Sequence, residues 1–307
     1  MQQPAGRGRH SQRHEGMNKH FLVTISNDID NLYGVRFLCA FFHSIGEHQV
    51  TLFHVCRSDD SSMAKTLTQM WQGPSEGIEG QLTVSARQAI FKARELLVAH
   101  NMGIEQMKTK TFAERFGKVK DILAEGSRGL YDAIILGRRA SYTLQWMFER
   151  PADETVLGLI KDSCCTTPLW ICPEPEPQGR DVLLCLDGSQ NSLRAADHVG
   201  FMLSGQEQHG ITLFQANGDE GKAETIFATA EGILAGHGIA ASRMRRKSDR
   251  GLSVVSTLLG ELHQGGYAAL AIGFRGERQE AEGGSGVGSI TARLIGKLEK
   301  ASLWCCP

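Results

Sequence analysis

Three short segments recur in the same order in the two halves of this chain. VTLFHV (50–55) returns as ITLFQA (211–216), YDAIILGRR (131–139) as YAALAIGFR (267–275), and PLWICP (168–173) as SLWCCP (302–307). One supersecondary unit is therefore used twice. The recurring pieces are near-continuous apolar runs rather than strict alternations. Strands of that kind are buried on both faces, which is the condition of a parallel sheet covered by helices.

The intervening stretches carry helical spacing. Leu32, Val35, Leu38, Cys39 and Phe42 fall on one helical face, as do Ala89, Ile90, Ala93, Leu96 and Leu97. Strands are expected over 20–26, 49–55, 104–111, 131–137 and 168–173, then over 180–186, 211–216, 239–247, 267–273 and 302–307. Helices are expected near 29–44, 81–101, 113–126 and 154–162, and again near 191–203, 222–236, 252–263 and after Gly288. The fold class is α/β: two tandem open five-stranded parallel-sheet domains of Rossmann-like type. The expected boundaries are 19–173 and 181–307, joined by the proline-rich, charged EPEPQGR of 174–180.

Composition narrows the function. The 307 residues are 41% hydrophobic and 22% charged, with formal net charge −1. That balance offers no bulk attraction to nucleic acid or to an anionic membrane surface. No apolar run approaches the roughly 18–20 residues that span a bilayer. Residues 1–18 are polar and basic, with no signal-type apolar core behind them, and are expected to form a disordered tail. Arg7, Arg9 and Arg13 leave an RNA-binding arm as the sharper alternative. Cys39, Cys56, Cys172 and Cys185 sit in apolar runs as small hydrophobes, and the adjacent pairs Cys164-Cys165 and Cys305-Cys306 lack the CxxC spacing of a zinc site. A cytoplasmic protein with free thiols follows. His43, His48 and His54 lack ligand spacing, and no metal is assigned. The basic run at Arg243–Lys247 with Arg250 reads as a charged edge strand or as a polyanion contact.

In doubly wound sheets ligands lie beyond the carboxyl ends of the strands, where strand order reverses. The ends of the first and fourth strands of each half are the places to look. In the second half, VLLCL ends at Leu186-Asp187-Gly188-Ser189. Asp187 can accept hydrogen bonds from an adenine amino group or a ribose hydroxyl, or it can serve as a turn and cap carboxylate. After YAALAIG comes a loop containing Gly273, Gly276, Gly283, Gly284, Gly286 and Gly288. A glycine-rich backbone can aim several N–H groups at one anion, and the helix opening at Gly288-Ser289 adds its own unpaired N–H groups. Ser289 and Thr291 add hydroxyls in that turn. A flexible connector is the plainer reading, and neither GxxxxGK[ST] nor a GxGxxG after the first strand is present.

LLCLDGSQNSLRAADHV resembles the opening of universal stress proteins, whose first strand runs into an Asp-Gly-Ser turn. Gly273-Phe-Arg-Gly276 and Gly288-Ser289 resemble that family's ATP-binding signature, Gly-x2-Gly, nine residues, then Gly-Ser or Gly-Thr. The spacer 277–287 holds two residues more than the signature; counting instead to Gly286 keeps the spacing but places Val287 where a hydroxyl belongs. The resemblance covers both halves and implies a tandem member with a dimer-like pairing of its domains and a further homodimer open. It implies ATP or another adenine nucleotide, with Mg²⁺ held by phosphate oxygens. Asp187 would face the adenosine within the Asp187-Gly188-Ser189 turn, and Ala216 would line the base pocket. Gly273, Arg275, Gly276, Gly286, Gly288, Ser289, Ile290 and Thr291 would surround or close on the phosphates.

The first half departs from the pattern. Ser26 stands where Asp187 stands, Ala140 replaces the second glycine, and Tyr142, Trp146, Met147 and Phe148 occupy the expected loop. A degenerate first site follows, with Arg138 and Arg139 as a residual anion contact. Three functional readings result: a cytoplasmic stress-response or signalling module that binds ATP through its second domain, a slow ATPase or phosphotransferase using the same cradle, or a nucleotide-free partner-binding protein. No catalytic residue is assigned.

Overall fold

The computed structural model describes residues 18–56, 82–137, 167–176, 179–218, 220–276 and 289–307. The expected tail, the helix at 154–162, Arg138 to Phe148, and Gly283 to Gly288 lie outside the described residues. Among the described residues no helix is long and apolar enough to cross a membrane.

The first half runs β1 (His20–Thr24), α1 (Tyr33–Phe41), β2 (Gln49–Cys56), α2 (Val84–Ala99), β3 (Met107–Ala113), α3 (Lys118–Arg128), β4 (Ala133–Gly137) and β5 (Leu169–Cys172). The second runs β6 (Asp181–Cys185), α4 (Gln190–Leu203), β7 (Ile211–Ala216), α5 (Glu220–Gly236), β8 (Met244–Asp249), α6 (Val254–Gly265), β9 (Tyr267–Gly273), α7 (Ser289–Lys297) and β10 (Ser302–Cys306). Sequence spacing therefore places every described element to within a few residues. Its third strands begin late in both halves, because Ile104–Gln106 and Ala241–Arg243 form single 3₁₀ turns instead.

All ten strands belong to one sheet, ordered β3-β2-β1-β4-β5-β10-β9-β6-β7-β8. Each half thus contributes the same order, and the register repeats as well. Phe21 sits beside Val50 and Ala133, just as Val182 sits beside Ile211 and Ala269. Within each half the pairing is parallel, whereas β5 and β10 meet antiparallel. The expected two sheets are fused into one, and the strands of the two halves run in opposite directions.

Side-chain alternation explains the layers. Phe21, Val23, Val182, Leu184, Ala269 and Ala271 face one core, shared with α1, α2, α4 and α5; Leu22, Leu183, Leu270 and Leu303 face the other, with α3, α6 and α7. Near-complete burial of the valine, leucine and phenylalanine side chains among these contributes on the order of 1.5–3 kcal/mol each. The strand faces under α4 are small at Ala269 and Ala271, which lets that helix lie close.

At the seam Trp170 and Trp304 are register partners, both fully buried, with rings stacked at 3.9 Å and 2°. The Trp170 indole N–H donates to His198 Nε2 at 2.9 Å. The position equivalent to His198 in the first half is Phe37, whose ring stands edge-on to Trp304 at 6.5 Å, and among the described residues the Trp304 indole N–H has no acceptor. Lys19, fully buried, donates to the Ser204 carbonyl at the end of α4 and ties the start of β1 to the other half.

A second repeated device anchors the outer strands. Glu125 on α3 accepts from Tyr131 Oη at 2.8 Å and Lys110 Nζ at 2.8 Å. Glu261 on α6 likewise accepts from Tyr267 Oη at 2.7 Å and Lys247 Nζ at 2.5 Å. Edge strand β8 presents Arg245, Arg246 and Lys247, paired with Asp181, Glu231 and Glu261. Ion pairing and edge protection account for this basic run.

Two outcomes follow. Trp170→Ala removes the stack and should destabilise the whole sheet by about 3–5 kcal/mol in urea unfolding, with no separate transition of one half. A loss under 1 kcal/mol would contradict the role assigned to the stack. Burial lowers the His198 imidazole to about 3, and burial with the Lys19 charge lowers His48 to about 4. Both are neutral when folded and take up protons near pH 6.5 when unfolded. Their stabilisation is complete above that pH and is lost as pH falls below it. The urea midpoint should drop between pH 7 and 4.5, and His198→Gln, which keeps an acceptor for Trp170, should flatten the slope.

Candidate functional site

Beyond the carboxyl ends of β6, β7 and β9 lies a cavity of about 470 Å³. Its walls bring together Asp187 after β6, Ala216 ending β7 with Asn217 behind it, Gly273 ending β9 with Arg275 and Gly276 behind it, and the first turn of α7. Leu186, Ile226, Val254 and Ile272 make its apolar lining. Such a mixture, apolar walls with a few polar groups at strand ends, is typical of a small-molecule site.

Each predicted residue has a definite place. Asp187 lines the cavity, and its Oδ1 accepts the Ser189 N–H at 3.0 Å in an Asx turn. Gly188 has φ +86°, a backbone that only glycine adopts without strain, and it lies behind the cavity wall rather than on it. Ser189 is also off the wall. It is buried and caps α4, its Oγ accepting the Ser192 N–H at 3.1 Å. The Asp-Gly-Ser stretch is thus in large part the start of a helix, as the plainer reading of the sequence had it, and it also delivers one carboxylate to the cavity.

The two described glycines of the signature do different things. A Cβ on Gly273 would come within 2.8 Å of the Asn191 backbone carbonyl carbon, so this glycine allows α4 to start against the end of β9. A Cβ on Gly276 would lie 2.7 Å from Asp187 Oδ2. Gly276 thereby leaves room beside the one carboxylate that, among the described residues, lines the cavity. Gly286 and Gly288 lie outside the described residues.

Ser289, Ile290 and Thr291 open α7 at the cavity wall. The amides of a first helical turn have no intrahelical acceptor, and the helix dipole makes that end electropositive. Thr291 Oγ1 is directed to the carbonyls of Gly273 and Phe274 at 3.4 Å, holding the helix start against the end of β9. Arg275 supplies a guanidinium at this end and Lys222, on α5, an ammonium at the other.

Sequence reading missed Lys222, Gln215, Asn217, Ile226 and Val254. All belong to the β7 and β8 sides, where no motif marks them. Only the rule that strand ends line such sites could have found Asn217. Cys185 also reaches the wall; burial, with the Asp187 charge as a second cause, pushes its thiol up to about 12, so it is not a nucleophile at neutral pH. Among the described residues no group of three His, Cys, Asp or Glu side chains converges as a metal site.

No family model matches the chain, and no curated protein matches it. Solved structures do. A universal stress protein from Archaeoglobus fulgidus is 13% identical at a TM-score of 0.60, the match covering 94% of this chain and 98% of that one. A functionally unknown protein from Pseudomonas aeruginosa is also 13% identical, at a TM-score of 0.50, covering 95% of this chain and 93% of that one. At such identity the likeness speaks to architecture, over nearly the full length of each chain. The ten-stranded, twice-wound sheet is the fold that this chain shares with that universal stress protein.

Proposed function

We propose that this chain is a tandem universal stress protein whose second domain, 181–307, binds ATP or a related adenine nucleotide. In this reading it is a non-catalytic module of cytoplasmic stress response or signalling. The observation that carries it is the cavity itself. Two stretches recognised separately in the sequence, the turn at Asp187 and the glycines after β9, meet in one space large enough for a nucleotide.

The chemistry of the walls supports an assignment of ends. The apolar side, with Ala216, Ile226 and Val254, suits the base. Asp187 Oδ2 borders the position where only a glycine leaves room, which suits a ribose hydroxyl or a base amino group. The α7 amides, Ser289 and Arg275 suit the phosphates. A bound nucleotide would carry Mg²⁺ on its phosphate oxygens. The first domain, 19–173, pairs with the second in a dimer-like way and lacks the equivalent carboxylate, Ser26 standing in its place.

Ligand binding changes output only if it favours one arrangement over another. Contacts across the β5–β10 seam provide the rigid frame within which such a preference would act. A nucleotide-free, partner-binding protein is the competing reading, favoured by the fact that Asp187 and Ser189 already serve the turn and the cap.

Denaturing freshly purified protein and chromatographing the supernatant should release close to one adenine nucleotide per chain; its phosphorylation state reports on turnover. Two per chain would mean that the first domain binds as well. None, with no calorimetric response to ATP and Mg²⁺, would leave the partner-binding reading. Gly276→Val should weaken ATP at least about tenfold, equal to about 1.4 kcal/mol, at nearly unchanged melting temperature. Gly273→Ala, which meets backbone, should instead destabilise the fold by about 1–3 kcal/mol.

A further inference from the structure

Asn217 has φ +55°, one of two described non-glycine residues with a left-handed backbone. The other, Asn101, follows the end of α2, where a left-handed residue closes a helix. Asn217 has no such local cause. It leaves β7 just after Ala216 and lies at the cavity mouth. Its side chain pairs with one backbone residue in both directions: Nδ2 donates to the Gly251 carbonyl at 3.1 Å, and Oδ1 accepts the Gly251 N–H at 2.7 Å. Its own N–H donates to the Asp249 carbonyl at 2.9 Å. The amide thus adds a false rung to the β7–β8 ladder beyond the point where the strands end.

What this rung holds is the entry to α6. Gly251 is followed by Leu252, by the cap Ser253, and by Val254, which lines the cavity. A Cβ on Gly251 would lie 2.4 Å from Thr257 Oγ1, so any larger residue there would have to displace that hydroxyl. The repeated architecture supplies a comparison. In the first half the same loop is held by its own helix: Asp121 of α3 accepts the N–H groups of Arg115 and Phe116. The equivalent of Asp121 in α6 is Thr257, whose hydroxyl donates to the Ser253 carbonyl instead. The equivalent of Asn217 is Cys56, still in strand pairing with Ala113. So the loop is clamped in both halves, but only in the second does the clamp come from a residue on the cavity wall.

We propose that Asn217 is a positioning residue for the ligand: by fastening Gly251 it sets the distance between the β7 wall and Val254, and so the width of the apolar end of the site. This rests on the adenine-nucleotide reading above. A base entering that end would press the two loops apart, and the paired hydrogen bonds resist the movement. The α7 end, which suits phosphate, lies on the far side of β6 and does not depend on the clamp.

The test uses the full chain with three probes in calorimetry: ATP, adenosine and inorganic tripolyphosphate. Asn217→Gly keeps the left-handed backbone free of strain and removes both side-chain bonds. It should weaken adenosine and ATP about tenfold each, leave tripolyphosphate within twofold, and keep the melting temperature within a few degrees. Unchanged adenosine affinity in the variant would overturn the clamp alone. An equal loss for tripolyphosphate would also overturn it, as general damage to the half. Wild-type protein that binds neither ATP nor adenosine would overturn both this and the reading on which it rests.

Discussion

The stacked pair of Trp170 and Trp304 is the contact on which the molecule's form depends. Parallel pairing extends a sheet in one direction and leaves an open last strand in each half. Two such strands, β5 and β10, close on each other antiparallel, and only three register pairs join them. Backbone bonds over so short a seam add little once their exchange with water is counted. The buried rings carry what the ladder cannot, since an aromatic pair adds about 0.5–1.5 kcal/mol beyond the area it buries. Around them Phe37, Phe41 and His198 present edges, so the seam has a packed aromatic centre rather than a bare strand junction.

Joining the halves this way has a geometric result. Their strands run in opposite senses, so the carboxyl ends of β6, β7 and β9 open at one edge of the layer and those of β1, β2 and β4 at the other. The cavity and its counterpart region therefore cannot share a ligand. The seam also consumes both apolar inner edges and leaves β3 and β8 as the outer ones. Arg245, Arg246 and Lys247 on β8, with Lys108 and Lys110 on β3, make those edges poor templates for another chain. Each ion pair there contributes little stability, and its charge protects the edge whether or not the pair is formed.

Much of this was legible before any coordinates, because apolar runs and their repetition are local signals. ITLFQA and YAALAIG coincide with β7 and β9 residue for residue. What escaped were meetings between distant positions. No periodicity announces that Tyr267 reaches both Glu261 and Thr212, or that Trp170 finds an acceptor in His198 while Trp304 finds Phe37. The antiparallel seam was hidden for a related reason, since the direction in which two halves dock leaves no mark on either. At the site, Asp187 and Gly276 carried a recognisable spacing. Lys222 and Asn217 did not, for they sit in loops whose residues mean nothing until the β7 and β8 ends are seen side by side.

The internal repeat separates frame from function within one molecule. Registers, layers and the Tyr–Glu–Lys anchor are kept in both halves, so those features are requirements of the fold. The strand ends are not kept: Ser26 faces Asp187, His54 faces Gln215 and Cys56 faces Asn217 as equivalents. In the first half His54 donates from Nδ1 to the Ile25 carbonyl at 2.8 Å, turning its ring back onto the backbone at the place where Gln215 lines the cavity. Asp28, two residues beyond Ser26, is spent on Asp30 and Asn31. These groups satisfy one another locally, whereas Asp187 directs an oxygen past its own turn toward Gly276. A carboxylate that serves its turn and also borders a cavity, beside a glycine that leaves room for a second group, is what distinguishes this site from its scaffold.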